Sequence, residues 1–226
     1  MRYKIVGTTV PAVELELTRG EEVFSQRGGL AWMTEGMDMS TNAKGGLLKG
    51  IGRVFAGESL FMVTYRCHVD NAKITFASTV PGSIMPVDVS SGEYIIQKGA
   101  FLAAQTSVDL KTVFTKKLGT GLFGGEGIIM QSIKGNGHCF LEIDGDAVEM
   151  ELASGEVLKV DTGNVVAFES TVKYDVETVK GLGNIFFGGE GLFLTRLTGP
   201  GKIILQTQNF SDFAGRIAGY IPRSSS

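Results

Sequence analysis

Two stretches of this chain are nearly the same text: FGGEGIIMQSIKGNG over 123–137 and FGGEGLFLTRLTGPG over 187–201. A shorter match, FAGES over 55–59, brings Glu58, Glu126 and Glu190 into line. Before each lies a glycine-rich lead, LKGIGRV, KKLGTGL or VKGLGNI. Further upstream come RGEEVFSQRGGLAWMTEG, SGEYIIQKGAFLAAQTSV and SGEVLKVDTGNVVAFEST, and downstream NAKITFAS, GHCFLEID and GKIILQTQ. A unit of about 65 residues told three times constrains the fold more than any other feature. A unit of that size does not bury its apolar face alone and has to pack on its neighbours.

Inside the unit the pattern is that of short strands. Glycine stands at 32 of 226 positions, about twice the usual 7%, with neither the triplet period of collagen nor the polar bias of a linker. Single glycines between apolar runs read as turns and bulges. YIIQKGAFLAAQ and VLKVDTGNVVAF read as strand pairs meeting at Lys-Gly and Thr-Gly, and GNG (135–137) and GPG (199–201) as further tight turns. The expectation is an all-β single domain of three repeats, at about 19–88, 89–150 and 151–210, packed about a pseudo-threefold axis rather than strung out as a capped solenoid. YKIVGTTVPAVELELTRG adds an N-terminal strand or strand pair with Pro11 at an edge. SDFAGRIAGYI, with Phe213, Ile217, Tyr220 and Ile221 at helical spacing, predicts a helix over 211–221, capped by Ser211, stopped by Pro222 and docked on the sheets.

Charge and composition narrow the function classes. A net charge of -3 leaves no global basic footprint, so DNA is not an expected partner. No run approaches the ~20 apolar residues of a membrane helix, and the opening MRYKIVGTTV lacks a signal-peptide core. Two cysteines, Cys67 and Cys139, form no disulfide framework. The expectation is a soluble, cytoplasmic protein.

The three F-x-G-E units, the segment GGLLKGIGRVFAGESLF and the closing FAGRIAGYIP together resemble the altered inheritance of mitochondria protein twenty-four family of bacteria, archaea and mitochondria, over nearly the whole chain. The resemblance implies a tandem triplication of the unit seen in the trp RNA-binding attenuation protein, a variant of the double-stranded β-helix. No catalytic residues are established for that family, so none carries over. The fungal mitochondrial member is associated with organising inner-membrane architecture, which implies an interaction role.

Several motifs could carry chemistry. GTGLFG (119–124) fits Gly-x-Gly-x-x-Gly, but the following EGIIMQSI reads as strand, so no helix N-terminus awaits a pyrophosphate. GGLLKGIG lacks the Gly-Lys-Ser/Thr of a P-loop. Glu58, Glu126 and Glu190 could converge through pseudo-symmetry into a site for a hard cation, or each could hold a backbone bend or face water. The second Gly-Glu set, Glu21, Glu93 and Glu156, poses the same choice. Cys67-His68 and His138-Cys139 supply zinc-ligand types, but neighbours in a strand point to opposite faces. No nucleophile elbow or triad is in view. Lys44, Lys49, Arg53, Lys116, Lys117 and Lys180 could line a basic rim for phosphates or be a solvated face.

On this reading the protein is not an enzyme, needs no cofactor, and acts as a scaffold or protein-interaction module through a protein partner or self-association, with GLLKGIGRVF and the C-terminal helix as contact surfaces. A cupin-like small-ligand or metal-binding protein using the repeated glutamates is the alternative. An RNA or membrane-surface binder using the basic leads is the third.

Overall fold

The computed structural model of the protein describes residues 1–41, 62–116, 127–178, 193–218 and 220–221. β1 (Arg2–Val6) and β2 (Ala12–Leu17) open the chain. Then come β3 (Glu22–Gln26), β4 (Leu30–Met33), β5 (Met37–Thr41), β6 (Met62–Cys67), β7 (Ala72–Ala77) and β8 (Gly82–Asp88). β9 (Tyr94–Gln97), β10 (Phe101–Gln105), β11 (Val108–Lys116), β12 (Ile128–Gly135), β13 (His138–Asp144) and β14 (Ala147–Leu152) follow. The last group is β15 (Val157–Asp161), β16 (Val165–Glu169), β17 (Lys173–Thr178), β18 (Phe193–Thr198) and β19 (Gly201–Gln206), before the helix α1 (Phe210–Ala218). Among the described residues the fold is all-β apart from α1 and short 3-10 turns.

The strands form four antiparallel sheets. Sheet one runs β1-β2-β7-β4, sheet two β5-β6-β3-β10-β13-β8, sheet three β11-β12-β9-β16-β19-β14 and sheet four β15-β18-β17. Every strand of sheet three stands six places later in the chain than its counterpart in sheet two. The same β-bulge recurs in β4 (Leu30/Trp32), β10 (Phe101/Ala103) and β16 (Val165/Ala167). Each group of strands thus gives part of itself to one sheet and part to the next.

Alternating residues explain how the sheets layer. In β2, Val13, Leu15 and Leu17 are wholly buried in the core that sheet one shares with sheet two. Glu14 and Glu16 take the other face, where Glu14 meets Lys4 and Lys73 at 3.1 and 3.3 Å. β13 buries both faces: Cys139, Leu141 and Ile143 point into the core between sheets two and three, Phe140 into the core toward sheet one. A third core, with Phe168, Ile203, Leu197 and Val176, joins sheets three and four. Removing one of the fully buried phenylalanines from such a core costs about 3–5 kcal/mol.

Three local readings are corrected by the structure. β9 and β10 are not a hairpin, because β9 belongs to sheet three and β10 to sheet two, with a 3-10 turn at Lys98–Ala100 carrying the chain across. β15 and β16 part in the same way at Thr162–Asn164. Gly163 is required here by proximity: a Cβ would lie 2.0 Å from Asn209 Nδ2. That asparagine, and not Ser211, caps α1, its Oδ1 accepting the Ser211 N–H at 3.0 Å. Nor does α1 bury its apolar stripe on the sheets, since none of its residues is buried and Phe210, Phe213 and Ile217 are each nearly half exposed.

Candidate functional site

Where β13 and β19 end and α1 begins, a cleft of about 330 Å³ opens. Its polar lining includes Gln97, Glu142, Asp144, Gln206 and Asn209, and Phe210 supplies an apolar wall. Glu142 and Asp144 are two apart on β13, so their side chains share a face. Glu142 is almost wholly buried and accepts two hydrogen bonds from Thr79, at 2.5 Å from the backbone N–H and 2.7 Å from the hydroxyl. Gln206 ties the strands together, its Oε1 accepting the Asp144 N–H at 3.0 Å while its Nε2 donates to the Gly163 carbonyl at 2.9 Å.

The electrostatics follow from this crowding. Burial pushes the Asp144 carboxyl up to about 6, the charge of Glu142 adds to the rise, and a hydrogen bond from the Phe210 N–H opposes it. Asp161, which caps the turn at Thr162–Asn164 by accepting the Gly163 N–H at 2.9 Å, is also raised, mainly by burial, with Asp212 adding to the rise. Acidic groups therefore gather at the N-terminus of α1, whose first N–H groups donate to Asp144 and to Asn209. Such a site, lined by amides and carboxylates, is suited to hydrogen-bonding a polar molecule. Among the described residues no group of three or more His, Cys, Asp or Glu is placed to hold a metal ion.

Residues 3–208 match the family model described as Mitochondrial biogenesis AIM24. The chain belongs to the AIM24 family. It is 31% identical over 223 residues to a protein of Streptococcus pyogenes serotype M6, itself described as uncharacterized, covering 95% of this chain and 88% of that one. The X-ray crystal structure of another Streptococcus pyogenes protein matches with a TM-score of 0.78 at 28% identity, over 97% of this chain and 99% of that chain. The AIM24 match ends just short of α1.

In this AIM24 chain Glu58, Glu126 and Glu190 lie outside the described residues, as do Lys44, Lys49, Arg53, Lys117, Lys180 and GLLKGIGRVF; the side chain of Lys116 is not described either. All three members of the second glutamate set are described: Glu93 stands just before β9, its carbonyl accepting the Ser170 N–H at 2.9 Å, and the other two share one arrangement. Glu21 Oε2 accepts the Thr18 N–H and Glu156 Oε2 the Ala153 N–H, both at 2.8 Å. In each case the glutamate N–H also closes a turn onto the same residue's carbonyl, across Gly20 (φ 88°) and Gly155 (φ 79°). These glutamates lock turns that need a left-handed glycine.

The two Cys-His pairs do not converge. β6 and β13 are separated in sheet two by β3 and β10, and Cys67 faces one core while Cys139 faces the other. Burial pushes the Cys139 thiol up, so it behaves as a small hydrophobe. His68 pairs with Asp38 at 2.7 Å, and His138 lies 5.3 Å from the Tyr3 ring. The Glu142–Asp144 pair was not singled out in the sequence. Its available signal was the alignment of GHCFLEID with GKIILQTQ, which puts Glu142 and Gln206 at one position, each directly after an apolar triplet, CFL or IIL.

Proposed function

We propose that the protein is a non-enzymatic scaffold or interaction module. The observation that carries this reading is α1: a helix with Phe210, Phe213 and Ile217 on one stripe, each 42–48% exposed, and no side chain committed to the core. A short helix that exposes aromatic groups in sequence-adjacent turns is a surface for a partner. The cleft's carboxylates are held in structural bonds, Glu142 by Thr79 and Asp144 by the Phe210 N–H.

Native mass spectrometry of the protein isolated gently from its own host tests this. A complex with another protein or with itself, lost in a Phe213→Glu/Ile217→Glu variant that keeps its far-UV circular dichroism, is the expected result. A chain carrying a stoichiometric small molecule, lost instead in Asp144→Ala, would replace it with the second reading, small-ligand binding in the cleft between Glu142, Gln206 and Phe210. That reading rests on the polar lining described above.

A further inference from the structure

We propose that the protein associates head to tail with a second copy of itself, the edge strand β4 of one copy pairing with the edge strand β15 of the next. The proposal rests on the interaction reading above and gives it a named partner, at a surface that does not involve α1.

The strand orders carry the argument. Sheets two and three share one order, offset by six strands. Sheet four, read β17-β18-β15, is the first half of that order and, among the described residues, stops there. Sheet one, read β4-β7-β2, is the second half, with β1 added at its far side. In the two complete sheets the halves join where β3 meets β10 and where β9 meets β16. The corresponding join, β15 to β4, is unmade among the described residues. Two edges that match the halves of a sheet built twice in the same chain present rows of N–H and C=O groups to each other's register.

That register can be carried over. Ala103 opposite Ser25 and Ala167 opposite Ile96 are the residues just past the bulges in β10 and β16. Trp32 occupies that position in β4, and Val160 occupies the position of Ile96 in β15. The join therefore sets Trp32 of one copy opposite Val160 of the next. Ala103 and Ala167 are wholly buried, whereas Trp32 is 56% exposed. A large aromatic side chain in water, where both counterparts are in a core, marks an interface still to be covered.

The surface it would cover is also exposed. Val87 on β8 is buried, and with Met85 it packs in the core that contains Ala167 and Ile204. Their counterparts on β14 are Met150 and Val148, which pair with Ile203 and Leu205 as Val87 and Met85 pair with Cys139 and Leu141. Met150 and Val148 are 40% and 41% exposed, because sheet four ends before the strands that would lie over them. Sheet one of a second copy supplies those strands and places Trp32 and Thr75 where Ala167 and Ile204 stand. The contact is heterologous, so it closes into a ring or runs on as a filament.

The test uses the full chain in sedimentation and mass photometry from micromolar concentration upward, with emission of Trp32, the chain's single tryptophan, as a reporter. Wild type is expected to form multiples of 24.1 kDa, with a blue shift of the emission as they form. Trp32→Glu and Met150→Glu each place a charge on one side of the contact at an exposed position, and both are expected to sediment as single chains with unchanged thermal unfolding. Mixed together they retain one intact face of each kind and are expected to form a dimer and nothing larger. A wild type that stays a single chain at all concentrations overturns the proposal, as does a Trp32→Glu variant that still assembles or a mixture that stays monomeric. A single-chain wild type that still captures another protein through α1 would remove this contact and leave the interaction reading standing.

Discussion

Asp144→Asn should make the protein more stable at neutral pH. In the folded chain the Asp144 carboxyl is raised from 3.8 to about 6, by burial first and by the charge of Glu142 second. A group raised on folding contributes fully below its unfolded value, and that contribution is lost as pH rises through its folded value. Between about pH 4 and pH 6 the folded chain therefore holds a proton that the unfolded chain has released, and folding stability from this site falls as pH rises. The full difference between 3.8 and about 6 corresponds to about 3 kcal/mol at 1.36 per unit. The side chain is partly open to water at the cleft mouth, and screening reduces the effect to about 1–2 kcal/mol.

Asparagine keeps an oxygen to accept the Phe210 N–H and carries no charge to desolvate. The variant should match wild type near pH 4 and unfold about 3–6 °C higher at pH 7 for a chain of this length. Differential scanning calorimetry at half-unit steps from pH 4 to 8 measures the gap. A constant gap across that range would refute the electrostatic account, and a variant less stable than wild type at pH 7 would show that the carboxylate's bond to Phe210 outweighs its burial.

Other substitutions probe the scaffold, each read by chemical denaturation. Phe140→Ala, at a side chain wholly buried in the core of sheets one and two, should cost about 3–5 kcal/mol. Thr75→Val should stabilise by about 1 kcal/mol, because the Thr75 hydroxyl is buried with no hydrogen-bond partner among the described residues and valine keeps the shape. Gly155→Ala should destabilise by about 1 kcal/mol, since alanine resists the φ of 79° that the Ala153–Glu156 turn requires.

How much of this was legible beforehand depends on what each residue's neighbours in sequence could report. The alternation of AVELEL announced β2 because a strand's two faces are written in adjacent letters, and the repeated text announced strand groups that recur at fixed intervals. Neither could say that consecutive strands cross between sheets. A glycine-bearing turn looks the same whether the chain folds back within a sheet or passes to the facing one, so YIIQKGAFLAAQ read as a hairpin although its halves lie in different sheets. Asn209 was overlooked as the cap of α1 because Ser211 is as good a cap by type, and the choice is made by Gly163, which leaves room for the asparagine side chain. Glu142 went unremarked because Thr79, which satisfies its carboxylate, lies 63 positions away in the sequence. The stripe of α1 read as core-facing because amphipathic periodicity records that a helix has an apolar side without recording what that side meets. Trp32 and Met150 show the same gap from the other direction. Their letters suit a buried strand, and their exposure follows from sheets one and four each being half of a design that sheets two and three complete, a relation that emerges when the strand orders are set side by side.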